Sequence, residues 1–253
     1  MEIRNARAVV TGAASGLGYT FALELAREGA AVVAGDIDEE GLARLAAEGA
    51  GLPGRISTAR VDVADEASVR EFVEGAFGTL GMVNALVNNA GVLLDGLLVK
   101  REAGWVRKLP TAQWQRVLDV NLTGSFLAAR EVAAGMLERR LRNCVIVNIS
   151  SLVRGGNEGQ SAYAASKAGL DAVTRTWAAE LAPYGIRVGA IAPGLVDTPI
   201  LQHVSDEAKE ALIQRIPLRR LGTTREIWLA LRFIMECDFF NGKVIEVDGG
   251  AVV

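Results

Sequence analysis

The chain has 253 residues, half of them hydrophobic, enough for one large domain with a substantial core. Its formal net charge is −3, from well-mixed acidic and basic residues, which argues against a nucleic-acid surface, and 28 glycines against 6 prolines fit short turns between buried elements rather than disorder. Two cysteines, Cys144 and Cys237, and a single histidine, His203, exclude a disulfide framework, a His-rich metal site and any triad that needs a second histidine.

In chain order, strand and helix patterns alternate without a linker. The first apolar run, 8–10, ends at Thr11 and is followed by Gly12, Ala13, Ala14, Ser15, Gly16, Leu17 and Gly18, then by Phe21, Ala22, Leu25 and Ala26 at helical spacing. A strand, a glycine turn and a helix in that order present free amides at a helix start, where the pyrophosphate of a dinucleotide is the usual occupant. The pattern is Gly-x-x-x-Gly-x-Gly rather than Gly-x-Gly-x-x-Gly. The second strand, 31–35, runs into Asp36, 18 residues after Gly18. A carboxylate at that distance accepts from a ribose 2′-hydroxyl and repels a 2′-phosphate, so NAD(H) is expected over NADP(H).

Further strands are expected over 56–61, 85–87, 145–149, 188–191 and 244–247, and helices over 16–28, 39–47, 66–77, 111–138, 161–181, 207–214 and 224–235. The strands are nearly continuous apolar runs, as in a parallel sheet covered on both faces, and the crossover helices make the fold doubly wound. Asp65, Thr111 and Thr223 or Thr224 are candidate helix caps, and Pro183 with Gly185 stops the 161–181 helix. The small residues Ala168, Ala172 and Ala179 on that helix suit either close packing on a twin in a second subunit or burial within the chain. The stretch from 92 to 110, with Trp105, Lys100, Arg101, Arg107 and Lys108, is long for its place and reads as a hairpin at a cleft rim or subunit edge, or as a plain surface insertion. No secretory hydrophobic stretch and no uncharged apolar run of 18 residues is seen, so a cytoplasmic, membrane-free location is the expectation.

Tyr163 and Lys167 stand four apart on the 161–181 helix and so share a face, and Ser151 lies twelve residues before the tyrosine. A free phenol titrates near 10, and a nearby ammonium lowers that value. This reads as a hydroxyl acid held ready for a carbonyl oxygen.

With the glycine turn, Asn88-Asn89-Ala90-Gly91, Asn121 within Asp119-Val120-Asn121-Leu122, Pro193-Gly194 followed by Thr198, and the ending Asn241 to Gly250, the chain resembles the short-chain dehydrogenase/reductase family over its whole length. The resemblance implies a single doubly wound Rossmann domain spanning 1–253 with a seven-stranded, mostly parallel sheet. It implies that Tyr163 is the acid in reduction and the base in oxidation, that Lys167 holds the nicotinamide ribose and lowers the tyrosine pKa, that Ser151 orients the carbonyl, and that Asn121 braces a water relay. For the cofactor it implies Gly12, Ser15, Gly16, Leu17 and Gly18 around the pyrophosphate and Asp36 with Ile37 beside the adenosine. Asp62 and Val63 would meet the adenine, Asn89, Ala90 and Gly91 the adenine ribose, and Pro193, Gly194, Val196 and Thr198 the nicotinamide, with hydride leaving the 4-pro-S side. No metal is required. The family spacing from serine to tyrosine is more often thirteen, which Ser150 would restore; strand register favours Ser151, since a one-residue slip reverses a side chain.

Within the family the chain is most similar to 3-oxoacyl-[acyl-carrier-protein] reductases, which usually prefer NADPH, so Asp36 is a departure. The alternatives are a catabolic dehydrogenase of a 3-hydroxyacyl-CoA, a diol, a sugar alcohol or a steroid, or a non-catalytic nucleotide sensor or scaffold. Arg142 aligns with an arginine that meets the acyl-carrier protein in that subfamily; Tyr184 stands where a second is expected. A substrate lid is expected over 199–217, with His203, Val204, Ile213 and Ile216 facing the ligand. The resemblance also implies a homotetramer.

Overall fold

The computed structural model describes residues 1–199, 201 and 206–251. Seven strands form one sheet: β1 (Arg7–Thr11), β2 (Ala31–Asp36), β3 (Arg55–Arg60), β4 (Ala85–Asn88), β7 (Cys144–Ile149), β8 (Ile186–Pro193) and β9 (Val244–Val247). Their order is β3-β2-β1-β4-β7-β8-β9, and every neighbouring pair is parallel. From β1 the chain winds outward to β3, then returns past β1 to β4 and winds the other way. The reversal lies between β1 and β4, where the crossovers leave on opposite sides and a crevice opens at the carboxyl ends of the strands.

The inner strands are apolar because both their faces are covered, whereas the edge strand β3, Arg-Ile-Ser-Thr-Ala-Arg, departs from the expected apolar run because it is half-exposed. Val145, Val147 and Ile149 point to one cluster with Phe21, Leu25, Ile227 and Trp228, whereas Cys144 and Ile146 point to the other with Phe72, Phe77, Leu127 and Met136. The first cluster lies under α1 (Gly16–Arg27) and α8 (Thr224–Glu236); the second lies under α3 (Glu66–Leu80) and α5 (Gly124–Glu138). Residue alternation along one continuous apolar strand thus supplies two cores.

Local side-chain caps start three of the helices. Asp38 accepts from the amides of Glu40 and Gly41 at the start of α2 (Glu39–Glu48), and Asp65 accepts from Ala67 and Ser68 at the start of α3. Thr223 closes a capping box with Glu226. Thr111 does not cap: it is the first residue of α4 (Thr111–Leu118), behind Pro110, and no side chain caps this end. Proline there fixes the entry dihedral and leaves one fewer amide to satisfy. The expected helix over 111–138 is interrupted by a π-helical turn, Asp119–Thr123, between α4 and α5. The stretch after Gly91 does contain a hairpin, β5 (Val99–Glu102) with β6 (Trp105–Lys108), turning at Gly104. The long helix α6 (Ser161–Leu181) ends in a 3-10 turn through Pro183, closed by a left-handed Gly185. α7 (Asp206–Ile213) follows β8.

Candidate active site

The carboxyl ends of β1, β2, β4, β7 and β8 surround a cleft of about 590 Å³. On one wall the β1–α1 turn is held close to β4. Gly12 takes a φ of +65°, and a Cβ there would lie 2.6 Å from Ala90 Cα. Gly18 lets α1 approach so near that a Cβ would fall 2.1 Å from the Gly12 carbonyl oxygen. Asn89 locks the arrangement by donating to the carbonyls of Thr11 (3.1 Å) and Gly12 (2.8 Å). Ser15, Gly16 and Leu17 line the cleft, and Ser15 makes no side-chain cap to α1. The first amides of α1 are therefore left for an anion. The Asp36 carboxylate stands beside them, accepting from Ala14 N at 2.9 Å and from Asp38 N at 3.1 Å. Backbone donors at a helix start with a carboxylate at the next strand end fit a dinucleotide.

The opposite wall comes from the end of β7 and from α6. Ser151 starts a 3-10 turn (Leu152–Gly155), its Oγ accepting from Val153 N at 3.2 Å, and it hydrogen-bonds the half-buried Tyr163 hydroxyl. Ser150 points the other way, donating to Asp171 Oδ1 at 2.6 Å and to the Lys167 carbonyl at 3.3 Å. The strand alternation that favoured Ser151 from sequence thus separates one serine in the cleft from one buried against the helix. Lys167 is almost fully buried, and its Nζ donates to the Ile149 carbonyl at 2.7 Å and lies 5.5 Å from the Tyr163 ring centre.

Burial brings the Lys167 ammonium down to about 8, with Asp171 opposing the fall. Burial pushes the Tyr163 hydroxyl above its usual range; the Ser151 hydrogen bond opposes this and Asp95 adds to it. The lowering of the tyrosine expected from Lys167 is therefore not what this geometry yields: the ammonium is turned to a strand carbonyl, and desolvation of the phenolate outweighs it. The Tyr163 hydroxyl therefore keeps its proton at neutral pH.

Asn121 sits one layer behind, in the π turn. Its side chain accepts from Val92 N (2.8 Å), donates to Val92 O (3.0 Å) and reaches Ser166 Oγ (3.2 Å). It pins the segment after Gly91, whose Cα faces both Asn121 Oδ1 and Lys167 Nζ. Pro193 and Gly194 end β8 on the cleft, and Val196 and Thr198 continue that wall, Thr198 lying over Gly16. Fourteen of the expected positions face this single cleft: Gly12, Ser15, Gly16, Leu17, Asp36, Asn89, Gly91, Ser151, Tyr163, Lys167, Pro193, Gly194, Val196 and Thr198.

The others lie off its lining. Gly18, Ala90 and Asn121 support it from behind. Ile37 is half-exposed beyond the end of β2. The Asp62 carboxylate accepts from Ala64 N at 3.0 Å, and Val63 is packed beneath Gly124. Sequence reasoning missed Asp95, Leu152, Val153 and Gln160 on the rim. Gln160 donates to Asp95 Oδ1 (3.0 Å) and Gly96 N to Gly159 O (2.7 Å), tying the root of the hairpin to the start of α6. Only the hairpin's length hinted at this. Of the expected lid residues, His203 and Val204 lie outside the described residues. Ile216 is buried beneath the Gly249 turn, and Leu201 and Leu212 line the cleft instead of Ile213. Arg142 precedes β7 and so stands at the end of that strand away from Ser151, its guanidinium on the Pro183 carbonyl at 3.3 Å. It does not border this chain's own cleft.

A doubly wound sheet with a dinucleotide cradle facing a serine–tyrosine–lysine wall defines a nicotinamide-dependent oxidoreductase. Residues 12–252 match a family model described as enoyl-(acyl carrier protein) reductase. The chain belongs to the short-chain dehydrogenase/reductase family. It is 41% identical over 256 residues to the 3-oxoacyl-[acyl-carrier-protein] reductase FabG of Thermotoga maritima, covering 100% of both chains. It is 37% identical to the (2S)-[(R)-hydroxy(phenyl)methyl]succinyl-CoA dehydrogenase subunit BbsD of Thauera aromatica, over 99% of this chain and 98% of that one. A crystal structure of a short-chain type dehydrogenase/reductase from Mycobacterium marinum superposes with a TM-score of 0.87 at 31% identity, covering 98% of this chain and 96% of that one. The chain is thus a catalytic oxidoreductase acting on a small ketone or alcohol, not a sensor or scaffold. Among the described residues no helix is long and apolar enough to cross a membrane.

Proposed function

We propose that the chain reduces the keto group of a 3-oxoacyl thioester, carried on acyl-carrier protein or a smaller thiol, to the 3-hydroxy product, and prefers NADH. The observation that carries the chemistry is the hydrogen-bonded pair of hydroxyls, Ser151 and Tyr163, on the cleft wall with Lys167 one helical turn behind. Support for the substrate class comes from the full-length similarity to a 3-oxoacyl-[acyl-carrier-protein] reductase.

Gly12, Ser15, Gly16, Leu17 and Gly18 would cradle the pyrophosphate, with Asp36 and Ile37 at the adenosine ribose. Asp62, Val63, Asn89, Ala90 and Gly91 would flank the adenine side, and Pro193, Gly194, Val196 and Thr198 the carboxamide. When bound, the nicotinamide supplies the hydride. Ser151 donates to the substrate carbonyl oxygen, and its donation strengthens as charge grows there. Tyr163 gives its proton to the developing alkoxide. Lys167 holds the ribose hydroxyls and stabilises the phenolate left behind. Asn121 keeps the Val92 backbone and the Lys167 end of α6 in register for proton return. Each oxygen of Asp36 already accepts one backbone amide and has a lone pair left for a ribose hydroxyl, whereas a 2′-phosphate would meet a like charge.

Asp36 also favours a second reading, oxidation of a 3-hydroxyacyl-CoA with NAD⁺, in line with the (2S)-[(R)-hydroxy(phenyl)methyl]succinyl-CoA dehydrogenase relative. The deciding experiment assays 3-oxoacyl thioesters on carrier protein and on N-acetylcysteamine, with diketones and sugars, against both cofactors. Highest kcat/KM for a 3-oxoacyl thioester with NADH supports the proposal; turnover of diketones or sugars alone overturns it. A homotetramer in the cytoplasm, built from the single domain spanning 1–253, completes the reading.

A further inference from the structure

Behind the serine–tyrosine–lysine wall lies a ring of polar contacts that the reaction itself does not use. Asp171 follows Lys167 by one turn on α6 and is 7% exposed. Its Oδ1 accepts from Ser150 Oγ at 2.6 Å, and its Oδ2 faces Arg154 Nε at 2.7 Å. Arg154 turns back: one terminal nitrogen donates to the Ser151 carbonyl at 3.1 Å, as its backbone amide does at 3.2 Å, and the other pairs with Glu246 on β9. The ring runs Ser150, Asp171, Arg154, Ser151. It fastens the turn that carries Ser151 to the same helix that carries Tyr163 and Lys167.

We infer that Asp171 and Arg154 are positioning residues, a paired clamp that fixes the Ser151 hydroxyl opposite the Tyr163 hydroxyl. Ser151 follows the end of β7 and Tyr163 lies in the first turn of α6, and residues 152–160 between them form a turn and loop with a largely exposed tip. Lys167 and Ser150 already tie the end of β7 to α6 through the Ile149 and Lys167 carbonyls, but the turn from Ser151 onward has no such tie to α6 apart from Arg154 and the Tyr163 hydroxyl itself. A carboxylate that accepts from the preceding serine and a guanidinium that grips the serine's own carbonyl supply that tie. Both charged groups are largely withdrawn from water, so breaking one strands the other. Glu246 gives the guanidinium a second anchor on the outermost strand. The clamp touches neither hydride carbon nor proton, so its contribution lies in geometry alone.

This inference rests on the proposed roles of Ser151 and Tyr163, and the controls separate the two. With an acetoacetyl thioester of N-acetylcysteamine and NADH, Asp171→Asn and Arg154→Ala should each lower kcat about tenfold or more, the scale of a sub-ångström to ångström misplacement. The NADH dissociation constant should stay within about twofold, since a uniform structural loss would move binding as well. The double variant should be no worse than the poorer single one, because both remove the same clamp. Arg154→Lys should recover part of the rate. If Ser151→Ala is crippled while Arg154→Ala and Asp171→Asn turn over normally, the clamp is refuted and the chemistry stands. If kcat falls only in step with folded fraction and NADH binding, the clamp is refuted as a mere stability element. A fully active Ser151→Ala overturns the underlying reading instead.

Discussion

Removing the Tyr163 hydroxyl should leave the fold and NADH binding intact while slowing reduction by roughly 10²–10⁴, the range for loss of a positioned acid. Single-turnover rates of Tyr163→Phe with an authentic thioester check this, and full turnover would discard the mechanism. The titrations set the pH response. Tyr163 is raised and stays protonated across neutral pH, whereas Lys167 loses its charge as pH rises through about 8. The groups facing Lys167 are Asp171 and Tyr163 on its own helix and the uncharged Ile149 carbonyl and Asn121 amide. kcat/KM for reduction should therefore be flat on the acidic side and fall above about 8, while oxidation, which needs the phenolate, should rise with pH. A reduction profile flat to pH 10 would remove Lys167 from the proton path. Asp36→Ala should shift the kcat/KM ratio toward NADPH by about tenfold or more, as relief of a like-charge contact predicts; an unchanged ratio would free Asp36 from that role. Most of these residues were legible in sequence because each sits at a strand end or at a fixed helical spacing. The orientation of Lys167 was not, since Ile149 lies 18 positions away and only the pairing of β7 with α6 brings its carbonyl to the ammonium.

At the scale of elements, the caps read locally because their partners are two or three residues away. Asp65→Ala should cost about 1 kcal/mol by chemical denaturation, the usual worth of an N-cap, with cofactor affinity unchanged; no loss would mean that the helix start is held by packing alone. Thr111 misled because Ser, Thr and Asp score alike as caps, while the helix here begins behind a proline that sets the entry angle. The π turn over Asp119–Thr123 has no sequence mark. It follows from Asn121 reaching across to the Val92 backbone, a contact formed only when α4 and α5 lie against the segment after β4. The hairpin was half legible. The length of the 92–110 stretch suggested it, and its turn at Gly104 and its attachment through Asp95 and Gly96 to Gly159 and Gln160 came from the fold.

The whole molecule carries a prediction of its own. Among the described residues β9 pairs only with β8 and forms an edge of the sheet, and α6 presents small residues along its outer face. The proposed homotetramer with two-fold axes would use both surfaces; sedimentation at micromolar concentration should show about four chains per particle, and a monomer alone would refute it. The amino-acid sequence by itself determined the alternation of strands and helices, the parallel character of the sheet and the residues at the strand ends, because these depend on short-range period and on turn chemistry. The tertiary structure alone decided where Lys167 points and how Arg154 and Asp171 tie the Ser151 turn to α6. Those contacts join residues far apart in the chain, and their distances exist only once β7, α6 and β9 are packed.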